Sequence, residues 1–175
     1  MFKNSNLKYG IIHIALHWIT AIMIVALLVI GLYMKSIPFN PNIYFLHKSC
    51  GFAVFILVII RLFWKFVNPS PEFDTKISKK VQILTKLGTV GLYGFLILMP
   101  LSGILMSLLY GVPVPFFGFF QINPMFEINK TYAHFFEEIH EAMVPMFIIL
   151  ILVHSVMALV HHFIFKDNTL KKMLP

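Results

Sequence analysis

The chain has 175 residues, 59% of them apolar and 12% charged, with a formal net charge of +7. A soluble domain carries about 25% charged residues, so this composition excludes one and points to an integral membrane protein. The surplus of lysine implies no nucleic-acid partner, because basic residues collect on the cytoplasmic loops of membrane proteins.

The apolar residues form long continuous runs, not the short alternating segments of a membrane barrel. The expected fold is therefore all-α: one domain over residues 1–175, a transmembrane four-helix bundle whose surroundings are membrane lipid. The first span is predicted over Ile11–Met34. It has full spanning length and no A-x-A-like end, so it reads as a span and not as a cleavable signal. The second is predicted over Ile43–Phe66. The third, Leu87–Leu109, has no histidine but holds Gly88, Gly91, Gly94 and Gly103. Small residues there serve close helix packing or leave room for a flat cofactor. The connection from Tyr110 to Glu138 contains VPVPFFGFFQINPMF. Its aromatics and prolines suit a non-helical loop at the outer interface, either a simple covering or a lid over a site. The fourth span is predicted over Ile139–Phe165.

Lysine and arginine give the orientation. Lys3, Lys8, Arg61, Lys65, Lys76, Lys79, Lys80, Lys86, Lys166, Lys171 and Lys172 fall on one side, and only Lys35, Lys48 and Lys130 on the other. Both termini are predicted cytoplasmic. The single cysteine, Cys50, allows no internal disulfide, and no CxxCH is present. Haem, if bound, is b-type and held by axial ligands alone.

Eight histidines stand in or beside these spans. In the predicted topology His17 and His154 lie at one depth and His47 and His140 at another. Fourteen residues separate His140 from His154, which puts them on nearly one helix face and ~21 Å apart along the axis. Two neutral imidazoles approaching from opposite sides are what the axial positions of a haem iron need. A zinc site wants three or four ligands at one point, and two pairs at different depths do not converge. The candidate metal ligands are therefore His17, His154, His47 and His140, holding two haem b groups. His13 competes with His17, one turn away on the same face. Gly31 and Gly51 are candidates for admitting a porphyrin edge.

The HW at His17–Trp18, the LHKSCG at Leu46–Gly51, the IHEAM at Ile139–Met143 and the LVHSVMALVHHFIFKDNTL at Leu152–Leu170 resemble the bacterial cytochrome b561 family over essentially the whole chain. Within the family the likeness is greatest to the superoxide:ubiquinone oxidoreductases. The resemblance implies an inner haem on His17 and His154 and an outer haem on His47 and His140. It implies oxidation of superoxide to oxygen at the outer face and passage of electrons to ubiquinone. One departure is visible: TKLGTVG, with Lys86 and no histidine, stands where many relatives have an AHxGH-like stretch.

Quinone reduction consumes protons, so a proton-competent side chain is expected near the quinone. His161 lies on the ligand stripe near the cytoplasmic interface. It is the candidate quinone contact and proton donor, with Lys166 assisting; anchoring of the helix or of haem propionates is the alternative for both. Arg61, Lys65 and Lys86 read as inner anchors or propionate partners. Lys48, beside His47, is the candidate for steering superoxide, although Glu127, Glu137, Glu138 and Glu141 leave the outer side at a formal −1. The rival reading is a haem b electron-transfer subunit linking a dehydrogenase or hydrogenase to quinone. No obligate protein partner is evident in the sequence.

Overall fold

The computed structural model describes residues 1–75, 77–125 and 127–174. Lys76 of the basic count and Phe126 of the aromatic connection lie outside the described residues. Four long helices make the frame: α1, Ile11–Ser36; α2, Pro41–Val67; α3, Lys79–Leu109; and α4, Lys130–Phe163. All four are long and apolar enough to cross a membrane. A two-stranded antiparallel hairpin, β1 (Val114–Phe116) and β2 (Phe120–Ile122), joins α3 to α4.

Local chemistry sets the helix ends. The Asn40 side chain accepts from the backbone N–H of Asn42 and Ile43, with Pro41 in the first turn. Pro costs nothing there, because that N–H has no helical partner. Ser78 caps α3 through Val81 and Asn129 caps α4 through Tyr132. These last two caps start each helix upstream of its predicted span. α3 begins at Lys79 and not near Leu87; α4 begins at Lys130 and not at Ile139. Hydropathy registers only the part of a helix that meets lipid, whereas the polar first turns are held by caps and backbone hydrogen bonds. At ~1.5 Å per residue the 34 residues of α4 extend ~51 Å, well past the hydrocarbon core. The connection is correspondingly shorter, and its aromatic run folds as a hairpin. Its turn places Phe117 and Gly118 at positive φ, 49° and 81°. Phe117 is held there by its N–H donating to Ser49 Oγ of α2.

Helices pack in sequence order, α1 on α2, α2 on α3 and α3 on α4, with the hairpin against α2. The core is Ile24, Val54, Val58, Leu96 and Phe147, and the Phe147 ring stacks on Phe95 at 5.4 Å. Other large apolar side chains point outward; Ile22, Val29 and Ile149 are each more than 60% exposed in the isolated chain. A bilayer removes the cost of that exposure. Both termini come to one end. Asn4 donates to the Pro69 carbonyl, Trp18 Nε1 donates to the Met173 carbonyl, and Lys172 donates to the Glu72 carbonyl. The hairpin marks the opposite end.

Candidate functional site

The structure brings two histidine pairs together across helices. At the terminal end the rings of His17 on α1 and His154 on α4 have centres 6.2 Å apart. At the hairpin end His47 on α2 and His140 on α4 have centres 6.4 Å apart. Phe147 lies on α4 seven residues from each of His140 and His154, so the packed core separates the two pairs. His13 does not compete for His154: its ring stacks on Tyr9 at 4.3 Å. Among the described residues no three of His, Cys, Asp and Glu gather to hold a metal ion.

The spacing of each pair suits a group with two axial positions. A metal–imidazole bond of ~2.0–2.1 Å on each side, continued through each ring to its centre, spans ~6.3 Å. Backbone glycines make room at the hairpin end. A Cβ on Gly31 would stand 3.4 Å from His47 Cε1, and one on Gly103 3.2 Å from His140 Cε1. Gly31 therefore clears space beside the His47 imidazole. The third-span glycines split in role. Gly91 packs on Leu150, Gly103 on His140, and a Cβ at Gly88, Gly94 or Gly51 would meet no atom within 4 Å.

Hydrogen bonds fix the tautomer of two rings. His140 Nδ1 lies 2.9 Å from the Met99 carbonyl and 3.1 Å from Ser102 Oγ. The Ser102 hydroxyl itself donates to Met99 O. A carbonyl only accepts, so His140 Nδ1 carries the proton and Nε2 keeps its lone pair. That is the arrangement of a ligating histidine with an orienting partner behind it. His17 is the reverse. Arg61 Nη2 stands 2.7 Å from His17 Nδ1, and a guanidinium only donates, so Nδ1 accepts. The hairpin-end pair fits axial ligation in spacing and tautomer, the terminal-end pair in spacing. Sequence reasoning missed Ser102 and the Arg61–His17 contact. The only signal for Ser102 was a hydroxyl within an apolar span that has no histidine.

Lys48, on α2 beside His47, donates to Ser107 Oγ at 2.8 Å, and Ser107 donates onward to the Val112 carbonyl. It thereby ties α2 to α3 and the start of the hairpin segment. Lys35, a second cation toward the hairpin end, pairs with Glu141 at 2.8 Å. His161 is 4% exposed, and its Nδ1 lies 2.5 Å from Asp167 Oδ2. Lys166, expected to assist it, is exposed; its backbone turns at φ 52° and delivers Asp167 to the ring instead. Burial works to raise the Asp167 carboxyl, but hydrogen bonds from His161 and Thr169 outweigh it and hold the group below its ordinary value.

The model of the prokaryotic cytochrome b561 family matches residues 8–175. The chain belongs to that family. It is 32% identical to "Cytochrome b561 homolog 2" of Escherichia coli (strain K12) across 99% of this chain and 94% of that protein. It is 28% identical to "Probable superoxide oxidase CybB" of Yersinia pestis, covering 96% of each. "Cytochrome b561 homolog 1" of Escherichia coli (strain K12) is 29% identical over 96% of this chain and 97% of that protein. Members are membrane electron-transfer proteins that bind b-type haem in a helical bundle, and four membrane-length helices agree with that fold. The exposed apolar side chains are thus lipid-facing.

Proposed function

We propose that this chain passes electrons from superoxide on the periplasmic side of the bacterial inner membrane to ubiquinone, using two haem b groups. One haem is held by His47 and His140, the other by His17 and His154. When bound, each haem supplies a one-electron carrier at its pair. Two superoxide anions give up one electron each and leave as two O₂. One ubiquinone takes the two electrons and two protons and leaves as ubiquinol. The observation that carries this reading is the pair of cross-helix imidazole contacts at two heights, with centres 6.2 and 6.4 Å apart. The superoxide part draws on the relative in Yersinia pestis.

The chain's own residues have assignable work. Met99 and Ser102 hold the His140 ring by its Nδ1–H, which aims Nε2 at the axial position. Lys48 forms no ion pair among the described residues, so its charge remains to attract an anion beside His47. His161 donates Nδ1–H to Asp167, which leaves Nε2 for proton exchange with the quinone, and the exposed Lys166 adds positive charge nearby. A second reading, an electron-transfer subunit serving a partner dehydrogenase or hydrogenase, draws support from the outer face. Lys35 there is already neutralised by Glu141.

Stopped-flow mixing of the purified protein with superoxide decides between them. Rapid reduction of both haems, followed by reoxidation with a soluble ubiquinone, is expected. Haems that stay oxidised would exclude superoxide as donor and favour the subunit reading. H154A is expected to lose one haem and keep the other.

A further inference from the structure

At the terminal end of α1, α2 and α3 a cluster of cationic and hydrogen-bonding side chains contains no acid. Arg61 and Lys65 stand one turn apart on α2. Both lie against the Tyr93 ring of α3, the guanidinium carbon 5.3 Å and the ammonium 4.5 Å from its centre. From α1, His17 takes Arg61 Nη2 at 2.7 Å. His13 is 5% exposed and within electrostatic reach of both cations. Two nitrogens of the cluster, His13 Nδ1 and Arg61 Nε, are buried with no hydrogen-bond partner. Among the described residues neither Arg61 nor Lys65 pairs with a carboxylate.

Such an arrangement is unfavourable by itself. Two like charges one turn apart repel, and within a spanning helix they also lose hydration. Buried nitrogens without partners add to the cost. A chain that sets two cations and a spare imidazole nitrogen together, and no acid, is complementary to a ligand that brings its own carboxylates. Arg61 offers a planar fork that matches a carboxylate in two hydrogen bonds, and Lys65 a second point of charge.

We propose that Arg61, Lys65 and His13 form a carboxylate-binding site that takes the propionate side chains of the haem held by His17 and His154. The proposal rests on the reading of that pair as axial ligands. It accounts for the inverted tautomer of His17: a guanidinium without an acid turns to neutral side chains, Tyr93 and His17 Nδ1. A carboxylate at Arg61 releases that nitrogen and leaves His17 able to adopt the tautomer His140 already has. It also gives His13 a role distinct from ligation, as a hydrogen-bond donor one turn before the ligand.

The test uses the full chain, purified with its haems, in optical redox titrations of R61M, R61K and K65M. In R61M the midpoint of one haem is expected to shift to lower potential, because loss of a nearby cation favours the oxidised iron. The other haem stays in place, R61K restores most of the shift, and K65M moves the same haem by less. A resonance Raman change in the propionate bending mode of that haem is expected alongside. Unmoved midpoints in R61M and K65M overturn the assignment. A raised KM for a soluble ubiquinone with both midpoints unmoved also overturns it, and gives the cluster to quinone. Should R61M fail to accumulate, R61K and K65M carry the same comparison, and two unmoved midpoints are again decisive. No superoxide is used, so failure of the donor assignment leaves this result standing. Retention of both haems in H17A and H154A would instead remove the ligand reading beneath it.

Discussion

Single atoms decide the His47–His140 pair. The Cβ that Gly103 lacks would stand 3.2 Å from His140 Cε1 and 3.3 Å from Nδ1, closer than ordinary van der Waals contact. The ring cannot retreat freely, because Met99 O holds its Nδ1. G103V is therefore expected to displace the imidazole and to empty one haem site while leaving the other filled. G103A should weaken that site without emptying it. Loss of an orienting contact behind a metal-bound histidine costs about 10–100-fold in affinity, so the graded series is measurable. The pyridine haemochrome content of each variant, together with the visible bands, checks it. Equal haem content in G103V and the parent would mean that His140 has room to move.

At the scale of an element, α4 is held at both ends by side chains outside the apolar run. Asn129 caps its start through Tyr132 N–H. Beyond its last turn the chain folds back, with Ile164 and Phe165 N–H donating to the Val160 carbonyl and Asp167 N–H to the His161 carbonyl. The Asp167 carboxylate then accepts from His161 and from Thr169 N–H. Its proton affinity is lowered on folding, below the ordinary value of 3.8. A carboxyl depressed in this way contributes stability above its unfolded pKa, and the contribution is lost as pH falls through the folded value. D167N is expected to be less stable than the parent from neutral pH down to about pH 4, by a constant margin, with the gap closing below that. Thermal melts of both proteins across this range check it. A gap that does not close as the pH falls would show that this carboxyl carries no folding-linked proton.

For the whole molecule the asymmetry of charge and the pairing of ends make one statement. Contacts such as Asn4 to Pro69 and Trp18 to Met173 put both termini and the loop after α2 at a single end, and the basic residues gather there. The opposite end carries the hairpin, Lys48 and the Lys35–Glu141 pair. The positive-inside bias then predicts cytoplasmic termini. A C-terminal fluorescent-protein fusion is expected to glow and a C-terminal alkaline phosphatase fusion to be inactive. Phosphatase inserted at the hairpin tip, near Gly118, should be active. The opposite pattern would put the His47–His140 pair on the cytoplasmic side and exclude it as the entry point for a periplasmic donor.

The four helices were legible in the sequence because a spanning segment must be long, apolar and internally hydrogen-bonded, and each demand leaves a mark on composition. Depth along those helices was legible too. A fixed rise per residue sets heights, so His17 could be matched to His154 and His47 to His140 before any coordinates. α3 and α4 start upstream of the predicted spans because caps, not hydropathy, end a helix beyond the lipid. What lies across a gap between helices was not legible at all. That Gly31 and Gly103 make room for imidazoles, that Ser102 and the Met99 carbonyl orient His140, that Asp167 rather than Lys166 meets His161, and that Arg61 reaches His17 all depend on how helices are rotated and packed. Rotation about a helix axis leaves no trace in a nearly uniform apolar sequence, and only the folded chain, by filling the space between helices, chooses it.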